Sequence, residues 1–145
     1  MPGNNAFVPV NLGFIAPVEI AAPGAQTEWS YLLPDEFIYR LTMAYFFYEC
    51  DGNAANRWLR LRFCDDAARV RGVFTDNKQL VAGNTRHYTF GIGMTLIDSG
   101  GHRCIPLSDT WLPGGWTIGS ETEDMEVGDT YTLIALTFQR FREQN

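Results

Sequence analysis

Residues Arg57-Trp58-Leu59-Arg60-Leu61-Arg62-Phe63 read with a period of two. That period belongs to a strand, whose successive side chains point to opposite faces. Leu59, Leu61 and Phe63 share one face with Arg57 at its turn end, and Trp58, Arg60 and Arg62 share the other. One face belongs in a core and the other is offered outward. The same period runs through a longer segment, residues 36–49, where Phe37, Tyr39, Leu41, Met43, Tyr45 and Phe47 form an unbroken apolar face. Its other face still shows Ile38, Ala44, Phe46 and Tyr48. In the final segment, 130–141, Thr132, Ile134, Leu136 and Phe138 make one face while Tyr131, Leu133, Ala135 and Phe141 make the other. A strand apolar on both faces requires cover on both.

Punctuation by Gly, Pro, Asn and Asp divides the chain into further strands. The expected set is 27–33, 36–49, 57–64, 68–74, 86–92, 94–97, 102–107, 116–121 and 130–141, with no amphipathic helix. Eight or nine strands so spaced predict an all-β antiparallel sandwich over residues 27–145. Long strands at both ends and long connections favour a jelly roll over an immunoglobulin-like sandwich, whose Cys…Trp…Cys spacing is absent. At 145 residues, with 46% hydrophobic and 14% aromatic residues, a single domain with its own core is expected.

Residues 1–26 differ. They carry one charge, Glu19, and four prolines, with Phe7, Val8, Val10, Phe14 and Ile15 among scattered apolar residues. Proline excludes a regular helix and favours extended backbone. This arm is expected to lie against protein, either as an edge strand on its own domain or on a neighbouring subunit. Cys50, Cys64 and Cys104 stand at unrelated spacings. If residues 37–49 and 57–64 form a hairpin around the 51–56 turn, Cys50 and Cys64 are too far apart to bridge, so three reduced thiols are expected, in a protein made and assembled in the cytoplasm. No secretory leader is visible and no run approaches a membrane span. A net charge of −6 argues against nucleic acid as a partner. The basic side is ten arginines to one lysine, Lys78, and arginine suits planar and stacked contacts.

Catalytic patterns are not found. The two histidines, His87 and His102, lack a second histidine at i+2 or i+4, the serines lack a nucleophile-elbow context, and no cofactor motif occurs. The acidic stretch 121–126 does not have calcium-loop order, and Gly128-Asp129 reads as a turn whose Asp bonds backbone amides. Trp111 and Trp116, in TWLPGGWTI, are the residues best placed to stack on a sugar; the alternative is that they cap the sandwich.

One ordered set of segments carries a resemblance: LLPDEFIYRLTMAYFF, GNAANR running into WLRLRF, then TRHYTFGIG, LPGGWTI and GDTYTLIALTFQRF. From Leu32 to Phe141 the chain resembles small jelly-roll structural proteins of tailed bacteriophages, capsid cement or decoration proteins in particular. The resemblance implies a non-enzymatic virion component on the outer capsid surface, commonly a trimer, that clamps neighbouring copies of the major capsid protein. The surfaces then expected to meet a partner are Phe7, Val8, Val10, Phe14 and Ile15 of the arm, Trp58, Arg60 and Arg62, and Tyr131 and Leu133. The Arg-bearing face and the acidic 121–129 turn would be complementary between subunits or toward the shell. A head–tail connector or tail component, and a carbohydrate- or receptor-binding module, are the alternatives.

Overall fold

A computed structural model describes residues 14–142. Eleven strands occur among them and no helix: β1 (Phe14–Ile20), β2 (Ser30–Leu32), β3 (Phe37–Glu49), β4 (Trp58–Cys64), β5 (Val70–Thr75), β6 (Thr85–Gly91), β7 (Ile97–Ser99), β8 (His102–Pro106), β9 (Trp111–Pro113), β10 (Thr117–Glu123) and β11 (Thr130–Arg142). A seven-stranded sheet runs β1-β11-β3-β6-β8-β7, with β9 also paired to β3, and a four-stranded sheet runs β2-β10-β4-β5. The nesting is that of a jelly roll: β1 pairs with β11, β2 with β10, β3 with β6 and β4 with β5, all antiparallel. Strands β7, β8 and β9 are inserted between β6 and β10, and β8 lies parallel to β6.

The expected strands are found within a few residues of their places. Two expectations change. Strands β3 and β4 are not a hairpin, because the chain leaves one sheet after Glu49 and enters the other at Trp58. The sandwich also begins earlier than residue 27: Phe14 to Ile20 pair residue by residue with Arg140 to Ile134, and Ala25 bridges Thr130. This part of the arm is an edge strand on its own domain, with Val18 and Ile20 packed against the core.

The core lies between the sheets. Leu59, Leu61 and Phe63 of β4 are buried as their alternation requires, facing Phe46, Tyr88, Phe90, Leu136 and Phe138 of the large sheet among others. Arg57, at the turn end of that face, is completely buried. Its guanidinium meets Asp129 with both Nε (2.8 Å) and a terminal nitrogen (2.9 Å), reaches Asp51 at 2.7 Å, and donates to the carbonyls of Asn53 and Ala55. Asp129 also accepts from the Tyr48 hydroxyl at 2.6 Å and from the backbone N–H groups of Asp51 and Glu126. Gly128 is fixed beside it, donating to Asp51 at 2.8 Å where an added Cβ would lie 2.8 Å from the Asp51 side chain. A second buried pair, Arg103 with Asp76, joins β8 to the end of β5. Cys50, Cys64 and Cys104 are free thiols.

Burial alone would raise the Asp129 carboxyl, but Arg57, the Tyr48 hydroxyl and the two amides together hold it at about 2. A carboxyl depressed in the folded state contributes stability that is complete above its unfolded value, near 3.9, and is lost as pH falls toward 2. Asp129→Asn is expected to cost about 3–5 kcal/mol, because it removes the fully buried one of the two carboxylates that neutralise Arg57 and leaves only Asp51. Urea unfolding between pH 2 and 7 should show a shallower acid limb in that variant than in the parent. Leu61→Ala should cost about 2–5 kcal/mol, against roughly ±0.5 for Arg62→Ala on the opposite face, by the same measurement.

A candidate interaction face on the large sheet

Two bulges decide which residues the long strands show to solvent. On β3 the ladder passes from Leu41 opposite Phe138 to Met43 opposite Thr137, so Thr42 is an extra residue. Its hydroxyl donates to the Thr137 carbonyl at 2.9 Å. The strand changes phase there: Tyr39 and Leu41 face the core before the bulge, and Ala44, Phe46 and Tyr48 after it. The apolar face expected to be unbroken from Phe37 to Phe47 is therefore divided, and Tyr45 and Phe47 lie on the outer side. On β11, Leu133 and Ile134 together oppose the single residue Phe46, and Leu133 adopts φ 54°, the left-handed region that a leucine rarely visits. Tyr131 thereby joins Ile134, Leu136 and Phe138 in the core, while Leu133 projects outward, 65% exposed. Tyr131, expected at a partner surface, is fully buried, with its hydroxyl against Thr122.

The outer face so formed is aromatic. Phe47 pairs across the sheet with His87, which pairs with His102. The Phe47 and His87 ring centres lie 4.5 Å apart, and the two imidazoles stack at 4.6 Å with 16° between planes. Tyr45 adds a ring 5.9 Å from His87 and a hydrogen bond to its Nδ1. Beside this strip Leu133 rises next to a hollow of about 490 Å³ lined by Glu19, Ile20, Tyr45, Leu133, Ile134 and Ala135. No sequence spacing brings His87 and His102 together; the parallel β6–β8 pairing does. Among the described residues no group of three or more His, Cys, Asp or Glu is arranged to hold a metal ion.

The other expected surface residues are dispersed. Phe7, Val8 and Val10 lie outside the described residues. Phe14 opens β1 opposite Arg140, and Ile15 beside it is 78% exposed. Trp58, Arg60 and Arg62 line the outer face of the small sheet, on the far side of the sandwich from Leu133. There Arg60 pairs with Glu123 at 2.5 Å within the same chain. One member of the basic row thus meets the acidic stretch inside one subunit, because β4 and β10 are neighbours. Arg62 lies opposite Gly119 and has no ion-pair partner among the described residues. Trp111 and Trp116 both line a groove of about 440 Å³ at the flank of the sandwich, with Trp111 half exposed. The chain matches no protein-family model, no curated protein and no solved structure.

The left-handed backbone at Leu133 costs roughly 1–2 kcal/mol for a residue with a Cβ. Glycine relieves that at a loss of about 0.5–1 kcal/mol in chain entropy. Leu133→Gly should therefore leave stability unchanged or raise it by up to about 1.5 kcal/mol, although it deletes a large apolar side chain. Denaturant unfolding compared with Leu133→Ala, which keeps the strain, checks this.

Proposed function

We propose that this chain is a non-enzymatic assembly protein, a jelly-roll subunit that associates with copies of itself and cements or decorates the head of a tailed bacteriophage. The observation that carries self-association is the outer face of the large sheet. It presents Leu133 of β11, Tyr45 and Phe47 of β3, His87 of β6 and His102 of β8 side by side, with Leu133 and His102 exposed and the other three half-buried. Interface cores are enriched in aromatic residues and depleted of charge, and this strip has that composition. Glu19 and Glu49 supply charge at its margin.

The assignment to a capsid rests on the resemblance of residues 32–141 to small phage structural proteins. A symmetric oligomer, a trimer in this reading, binds a shell through several modest contacts at once. Each contact after the first is intramolecular, so avidity exceeds that of any one interface. With the large sheet turned toward sister subunits, the Trp58/Arg62 face of the small sheet is left to meet the capsid protein.

Light scattering should give an oligomer for the parent. Leu133→Asp and Phe47→Asp should give folded monomers by circular dichroism, since both side chains lie outside the core. Co-sedimentation with capsids should fall in those variants, and should fall with rising salt in Arg62→Ala without change of oligomeric state. A parent that stays monomeric at all concentrations and does not co-sediment with capsids refutes the reading.

A further inference from the structure

Along their main paths the two sheets end in four edge strands, and three of them are protected. Strands β2 and β7 have three residues each, too short to template another strand. Strand β1 is longer but carries Pro17 at its centre and Glu19 beyond it, both of which discourage further pairing. Strand β5, Val70–Thr75, has neither proline nor acid, exposes Val70 and Val73, and pairs only with β4 among the described residues, regularly from Gly72 to Thr75 beyond a bulge at Arg71. Natural sheets rarely leave an edge of that length and composition bare.

The flank groove adjoins this edge. Val73 and Phe74 of β5 line it with Phe63, Leu112, Trp111 and Trp116, and its volume of about 440 Å³ accommodates a large side chain. Gly72 keeps it open, since a Cβ there would lie 3.3 Å from the Phe63 ring. Arg71 lines it too. Its Nε is held by Asp65 at 2.7 Å, whereas its two terminal nitrogens have no hydrogen-bond partner among the described residues. A guanidinium fixed through Nε with its outer nitrogens free is set to receive a carboxylate.

We propose that β5 takes up an extended acidic segment of a partner protein as an added strand, with an apolar side chain of that segment in the groove and a carboxylate on Arg71. Main-chain hydrogen bonds along β5 supply affinity, while the groove and Arg71 supply specificity. The segment is acidic because the free hydrogen-bonding capacity at the groove is cationic. The site is distinct from the self-association face, so it stands or falls without it.

The probe is a blocked heptapeptide alternating threonine and valine around a central phenylalanine followed by glutamate. Titration into the full chain should change tryptophan emission, because two of the four tryptophans line the groove. It should also slow amide exchange along β5. Replacing the glutamate of the peptide by lysine, or Arg71→Gln in the protein, should weaken binding by about tenfold, in line with loss of a charged hydrogen bond. Asp65 keeps the amides of Ala67 and Arg69 as partners, so Arg71→Gln is expected to fold, and light scattering should show its oligomeric state unchanged. Absence of peptide binding at millimolar concentration overturns the proposal. Binding without protection of β5, or binding indifferent to Arg71, overturns it as well. A tryptophan response to oligogalacturonate and not to the peptide would make the groove a saccharide site instead.

Discussion

The contact between Arg57 and Asp129 ties the two sheets together at one end. Arginine has five N–H donors and can be buried only where each finds an acceptor. Here Asp129 takes two, Asp51 one, and the carbonyls of Asn53 and Ala55 the rest. The acceptors come from the loop after β3 and from Asp129 just before β11, both strands of the large sheet, while Arg57 leads into β4 of the small sheet. The turn sequences follow from this demand. The 51–56 loop must curl so that its carbonyls face Arg57, and Gly128 must let Asp51 approach. Lysine, a point charge without the planar fork, could not fill the same position.

What the sequence disclosed and what it hid divide along physical lines. Where a strand is regular, alternation was sufficient: Leu59, Leu61 and Phe63 face inward, as do Tyr88 and Phe90. Arg57 stands visibly at the end of the inward row, and Gly128-Asp129 reads as a turn whose Asp bonds amides, although nothing in the spacing pairs the two. Alternation failed on β3 and β11 because each contains a bulge, and a one-residue insertion exchanges the faces beyond it. Neither bulge carries the glycine that would have signalled it; the residues are Thr42 and Leu133. The supposed hairpin of β3 and β4 failed for another reason. In a jelly roll, successive strands cross between sheets, and the eight-residue connection, 50–57, serves equally for a turn or a crossing.

The candidate face was accordingly half legible. That the long strands are apolar on both sides was plain from the sequence. Which of Tyr131 and Leu133 faces outward was not, since the answer depends on the left-handed backbone at Leu133 itself. The imidazole stack was invisible in one dimension, because His87 and His102 meet only through a parallel pairing that crosses the β7 turn. The Arg60–Glu123 pair shows the opposite error: both rows were found, but sheet order, which no local pattern encodes, made them partners in one chain.

The bulges also account for the face itself. Strands of thirteen residues at about 3.3 Å each extend some 40 Å, longer than the four-stranded sheet that covers them. A regular strand of that length would show one apolar row inward throughout. Re-phasing at Thr42 sends Tyr39 and Leu41 inward in one half and Phe46 and Tyr48 in the other, so Tyr45 and Phe47 are left outside. Without that bulge Tyr45 and Phe47 would face inward, and Phe46 and Tyr48 would take their place outside. On β11 the sequence keeps Leu133 in a backbone conformation costing roughly 1–2 kcal/mol, which the surrounding ladder sustains. The two bulges together therefore set Leu133 beside Tyr45 and Phe47 on one outer face, whereas a regular ladder on either strand would have put a different row there.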